Sequence, residues 1–103
     1  MVELVKRKRI EVVADAPLCE WLADSAAKLG IVHHSLLSLS SGAGLGGSWR
    51  DEDVSGAVAK RMFVAISSAE KAASFLDVIA PHLDEYGLLV AIADVEVVRG
   101  DRF

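Results

Sequence analysis

The stretch Lys60 to Val98, KRMFVAISSAEKAASFLDVIAPHLDEYGLLVAIADVEVV, decides the fold. It opens with KRMFVAI at residues 60–66, an apolar run of strand length. Ser67-Ser-Ala-Glu70 follows with the spacing of a capping box, the start signal of a helix. Ala72, Leu76, Ile79 and Leu83 then recur at helical intervals. Pro81 is expected to kink this helix or close it in a tight final turn, and Gly87 to stop it. Leu88 to Val98 reads as a long last strand. Met62–Ile66 and Leu88–Ile92 are apolar at every position, so neither strand has a face suited to water.

Upstream, residues 2–14 read as a strand in which Ile10, Val12 and Ala14 alternate with Arg9, Glu11 and Val13. Asp15-Ala-Pro17 has the pattern of an N-cap followed by a first-turn proline. Leu18, Leu22, Ala26 and Leu29 form one apolar helix face, and Gly30 ends that helix just after Lys28. A second strand is expected from Ile31 to about Ser40. Residues 41–59, SGAGLGGSWRDEDVSGAVA, show no sustained period and hold five of the eight glycines. This is a long loop for so short a chain, and loops beyond about 12–15 residues are usually functional or disordered. The order is β-α-β-β-α-β over a single domain, residues 1–103. It predicts the ferredoxin-like α+β arrangement: a four-stranded antiparallel sheet with both helices on one face.

Composition narrows the function classes. The chain has 103 residues, 52% hydrophobic and 25% charged, which excludes general disorder. It contains no run of about 18 apolar residues that could span a membrane. MVELVKRKRIEVV lacks the h-region and cleavage site of a secretory leader, and the lone Cys19 cannot build a disulfide framework, so a cytoplasmic protein is expected. With 11 basic against 15 acidic residues the net charge is −4, so no nucleic-acid partner is expected. Aromatic residues are only 6%, so most of the apolar content is aliphatic, more than one small domain readily buries. Two helices cover one face of the sheet. The open face is therefore expected to be hidden by further copies of the chain.

The long loop carries the candidate chemistry. Gly42-Ala-Gly-Leu-Gly-Gly47 fits G-x-G-x-x-G, but no amphipathic helix follows and the chain is too short for a doubly wound sheet. The segment reads either as a flexible loop or as a backbone anion site, where glycines let successive N–H groups face a phosphate or carboxylate. Trp49, in so polar a setting, either meets a partner surface or folds back on its own domain. Lys60 and Arg61 stand where the loop re-enters the sheet, and one of them is expected to point along the glycines. Asp51-Glu-Asp53 reads as a solvated acidic cluster.

Other residues attract notice without converging. His33 and His34 are neighbours on a strand, so their side chains face opposite ways and cannot chelate one metal ion. His82 stands near a helix end; Cys19, in a first helical turn where a thiol pKa can be lowered, has no base or orienting group and reads as a packed or surface thiol. Lys6-Arg-Lys-Arg9 reads as a solvated strand end or the rim of an assembly. No nucleophile is paired with a base, so no enzyme is expected.

Taken together, order and spacing resemble the PII signalling family over nearly the whole chain. KRKRIEVV is similar to the family's first strand, and Leu29-Gly30-Ile31 to its Leu/Val-Gly-Ile helix ending. Gly42-Ala-Gly44 falls where PII proteins carry Gly-Phe-Gly at the base of their T-loop, so residues 42–59 correspond to the T-loop. VEVVRGDR, ending at Arg102, resembles the basic C-terminal strand and loop. The resemblance implies a homotrimer, packed through the open sheet face, that holds adenine nucleotide in intersubunit clefts. Gly42, Gly44, Gly46 and Gly47 would approach the phosphates, and Ser35, Leu37, Phe63 and Val64 would line the adenine. Arg99 and Arg102 would add phosphate charge from a neighbouring subunit.

Two departures bear on the ligand. The glycine- and lysine-containing B-loop of nitrogen-regulating PII proteins is missing, leaving Gly87 and Leu88 of Glu85-Tyr-Gly-Leu88 at that place. The T-loop is short and lacks the tyrosine that is uridylylated. The resemblance therefore points to the carboxysome-associated PII-like branch: a regulatory sensor for ADP or AMP in preference to ATP, with bicarbonate as a second ligand. Lys60, Arg61 and Gly44 are the candidates to hold bicarbonate, and Trp49 and Arg50 to contact a regulated partner such as a bicarbonate transporter or carboxysome component. A metal-binding or metal-tolerance trimer of the same fold, of the CutA type, is the alternative.

Overall fold

The structure, a computed structural model, describes residues 2–50 and 59–103. In chain order it contains β1 (Leu4–Asp15), α1 (Cys19–Lys28), β2 (His34–Ser38), β3 (Ser41–Gly44), β4 (Gly47–Arg50), β5 (Lys60–Ser67), α2 (Ala69–Ile79) and β6 (Leu89–Val98). β2, β5, β1 and β6 lie side by side in that order, every neighbouring pair antiparallel. This is the expected ferredoxin-like fold.

Alternation along the central strands sorts their side chains between two faces. Ile10, Val12 and Ala14 of β1 and Phe63 and Ala65 of β5 are buried with Leu22 and Ala26 of α1 and Ala72, Phe75 and Ile79 of α2. Both helices thus cover one face. On the other lie Val13, Met62, Val64, Ile66 and the β6 residues Leu89, Ala91, Ala93 and Val95, as the register requires. No helix of the described chain covers that second face.

Local signals explain most boundaries. Gly30 adopts φ +81°, and Ile31 N–H donates to the Ala26 carbonyl while Gly30 N–H donates to that of Ala27, closing α1 in a Schellman motif. Pro81 lies in a one-turn 3-10 helix, Ala80–His82, that follows α2. At three residues per turn this segment advances faster than an α-helix, which carries Leu83 out of the apolar stripe to an exposed position.

Four expectations need correction. α2 is capped by Ser68, whose hydroxyl accepts from the Lys71 N–H at 3.2 Å; Ser67 is the buried last residue of β5. Asp15 makes no capping bond; its carboxylate accepts from Lys60, and a 3-10 turn, Ala16–Leu18, intervenes before α1. β2 is five residues long and begins at His34, because Ile31 turns into the core. Residues 41–50 form a hairpin, with Gly42 opposite Trp49 and Gly44 opposite Gly47. The rest of the expected loop, with Asp51-Glu-Asp53, lies outside the described residues.

Candidate functional site

At one end of the sheet the β3–β4 hairpin borders a groove of about 580 Å³, lined by Gly42, Gly44, Gly46, Gly47, Trp49, Lys60, Gly87 and Leu89 among others. Four of these glycines (Gly44, Gly46, Gly47 and Gly87) have open space where a Cβ would stand. Gly42 does not: a Cβ there would lie 2.5 Å from Trp49 Cζ2. The indole therefore lies on its cross-strand glycine, and Trp49 folds back on its own hairpin. The turn itself is Leu45-Gly46, with Leu45 fully exposed, while Trp49 and Arg50 sit on the returning strand.

Lys60 is the cation of this groove. Its ammonium donates to the Asp15 carboxylate at 2.5 Å, both groups about one-third exposed. Arg61 is adjacent in sequence and so lies on the opposite, helix-bearing face; it donates to the Lys60 carbonyl and influences Cys19 electrostatically. The structure brings Lys60 and Gly44 to one groove and leaves Arg61 out of it. Gly87 joins them from the turn before β6, at φ +61°, whereas its neighbour Leu88 is buried in the core.

Ser35, Leu37 and Val64 stand along the sheet between this groove and the far end, where Arg99 and Arg102 lie. Ser35 and Val64 share a cavity of about 340 Å³ with Arg9, His33, His34 and Phe103. Leu37 stands two residues along the same face of β2, opposite Met62. Phe63 is a correction: it is fully buried, stacked on Phe75 with centroids 5.7 Å apart, so it cannot touch a ligand from within the core. Sequence alternation separates Phe63 from Val64, and only Val64 lies on the face away from the helices.

Beyond Val98 the chain turns sharply. Arg99 holds φ 62° and ψ 57°, left-handed values that cost a non-glycine residue roughly 1–2 kcal/mol. A 3-10 turn, Gly100–Arg102, follows, closed by Arg102 N–H donating to the Arg99 carbonyl and Phe103 N–H to that of Gly100. Arg99 lines a further cavity of about 500 Å³ with Glu3, Val5 and Arg7. The Arg7 guanidinium reaches three main-chain oxygens, those of Lys6, Gly100 and Phe103. Sequence reading missed Arg7, Phe103 and His33 here. Only the alternation of the basic run, which puts Arg7 on the open face with Arg9, hinted at a specific task.

The glycine groove and the turn with Arg99 and Arg102 do not meet within one chain. β6 begins beside Gly87 and ends at Arg99, and its ten residues span about 30 Å at about 3.3 Å each. The other singled-out residues stand apart from both. His82 stacks on Tyr86 with centroids 4.9 Å apart and meets Trp21 edge-on, its Nδ1 buried without a hydrogen-bond partner. Burial pushes the Cys19 thiol pKa up, opposed by Arg61 and reinforced by Asp15, which fits a packed thiol and not a reactive one. His33 faces Phe103 and His34 stacks on Phe63. Among the described residues no group of three or more His, Cys, Asp or Glu is placed to hold a metal ion, and no helix is long and apolar enough to cross a membrane.

Comparison with known proteins places this arrangement. Curated protein sequences offer no match. Among solved structures, CPII from Thiomonas intermedia K12, a nitrogen regulatory PII-like protein bound to ADP, AMP and bicarbonate, superposes with a TM-score of 0.92 at 20% identity, over 100% of this chain and 98% of that one. A PII-like signaling protein from Thermus thermophilus gives 0.77 at 22% identity, covering 98% of each chain. The B. subtilis GlnK-ATP complex gives 0.54 at 10% identity, over 87% of this chain and 82% of that one. These likenesses share the fold. The sequence model of the nitrogen regulatory protein P-II family matches residues 7–102, and the chain belongs to that family.

Proposed function

We propose that this chain is a PII-like regulatory sensor. It binds ADP or AMP in preference to ATP, with bicarbonate, in the clefts of a homotrimer, and reports inorganic-carbon and energy status through residues 42–59. One observation carries the reading. The glycine groove with Lys60 and the turn with Arg99 and Arg102 are separated by the length of β6, further than a nucleoside diphosphate reaches. Each chain then supplies half of two different sites, and a cleft is complete only between copies. The partly buried Val13, Met62 and Ile66 and the exposed Leu89 offer surface for that assembly, each gaining only a part of the roughly 1.5–3 kcal/mol that full burial of an exposed side chain contributes.

The chemistry of the groove supports the ligand choice. Backbone N–H groups of an open glycine segment and one ammonium suit one or two phosphates. The turn before Gly87 carries Asp84 and Glu85 and no lysine, a poor setting for a third phosphate. Bicarbonate, a small planar anion, fits the Lys60 ammonium and the backbone near Gly44. Two anions that order one hairpin are coupled reciprocally. CPII, with its bound ADP, AMP and bicarbonate, lends the same combination support. The regulated partner is, by the family resemblance, a bicarbonate transporter or a carboxysome component. Calorimetry of ADP with and without bicarbonate tests the proposal. Tighter ADP binding in bicarbonate is expected; equal affinities with no bicarbonate heat overturn the coupling. Stabilisation by divalent metals and by no nucleotide overturns the sensor itself in favour of a metal-binding trimer.

A further inference from the structure

We infer that Arg7 is a positioning residue for nucleotide binding, acting through the C-terminal turn that carries Arg99 and Arg102; this rests on the function proposed above. Its guanidinium donates from Nη1 to the Lys6 carbonyl at 2.8 Å, from Nη2 to that of Gly100 at 2.8 Å, and from Nε to the main-chain oxygen of Phe103 at 3.3 Å. One side chain thus ties the start and end of the turn to β1. Gly100 completes the seat, since a Cβ there would lie 2.7 Å from Val5 Cβ.

Core burial does not account for this latch. Arg99, Asp101 and Arg102 are all exposed, so the bonds order a surface segment. Exposed segments with few contacts stay loose unless tied down, and here the tie holds Arg99 in its left-handed conformation. It also sets Phe103 5.2 Å from His33, beside the Ser35 and Val64 cavity. Three of its five N–H groups are held by main-chain oxygens, one on each guanidinium nitrogen, so Arg7 acts chiefly through the groups it places. Ordering the turn in advance removes an entropic cost from binding. The planar fork matters, since an ammonium is a point charge that cannot span three separated oxygens.

The test is ADP titration of the full-length chain as wild type, Arg7→Gln, Arg7→Lys, Arg102→Gln and the Arg7→Gln/Arg102→Gln pair. If the seated turn falls to about a tenth of molecules, apparent affinity falls about tenfold. Arg7→Gln and Arg7→Lys are expected to show that loss alike, and Arg7→Gln to cost less once Arg102 is gone. In hydrogen exchange the Arg102 and Phe103 amides should lose protection while the β1–β6 ladder keeps its own. Unchanged affinity, rescue by lysine, an equal loss in both backgrounds, or fraying of the whole ladder each overturns the proposal. A wild-type chain that binds no ADP instead overturns the proposed function, and this inference with it.

Discussion

Gly42 owes its place to Trp49. The indole occupies the volume of the missing side chain, so the glycine serves packing rather than backbone reach toward a ligand. Gly42→Ala should therefore lift Trp49 off the hairpin. In a Trp21→Phe background the emission should shift to the red and hairpin proteolysis should quicken; an unchanged spectrum contradicts this packing. Cys19 allows a pH prediction. Its thiol is pushed above its ordinary 9.0 mainly by burial, and the thiolate is the reactive form. Native protein should therefore react slowly with an alkylating reagent at pH 8, accelerating only above pH 9.0, whereas urea-unfolded chain reacts at once. Equal native and unfolded rates at that lower pH contradict it. The strand period places Phe63 and Val64 on opposite faces but does not say which face meets the helices. Phe75, across the core, decides that.

Elements with a strong period were legible from residues alone. β1, α1, β5, α2 and β6 stand near where apolar spacing put them, and Gly30 and Gly87 close their turns as expected. The β3–β4 hairpin was not legible, because two four-residue strands with three glycines carry no alternation. Their pairing rests on backbone bonds and one cross-strand contact, which leave little pattern in sequence. The α2 cap was misplaced by one residue for a similar reason. Two consecutive serines satisfy the local pattern, and only the burial of Ser67 at the end of β5 makes Ser68 the cap. Ser68→Ala should lower stability to urea by about 1 kcal/mol, within the roughly 0.5–2 kcal/mol of lost N-caps. An unchanged midpoint contradicts the assignment.

At the scale of the whole molecule, the aliphatic excess of a 103-residue chain has a location. It lies on the sheet face opposite the helices, where Met62, Val64 and Ile66 of β5 and Leu89, Ala91 and Ala93 of β6 flank the β1 row of Arg9, Glu11 and Val13. The separation of the candidate site into two halves was less legible, because sequence order does not report that both ends of one strand serve different clefts. The B-loop departure was legible only against the family pattern, and what takes its place, a bare turn at Gly87, sits directly on the glycine groove. The division into halves is the central claim, and complementation tests it most directly. Lys60→Ala damages one half and Arg102→Ala the other, so each variant alone should bind ADP weakly. Unfolded together and refolded as mixed trimers in equal amounts, they should recover about one intact cleft in four, each drawing its halves from different chains. No recovery on mixing, with both variants folded and trimeric, contradicts a site shared between copies.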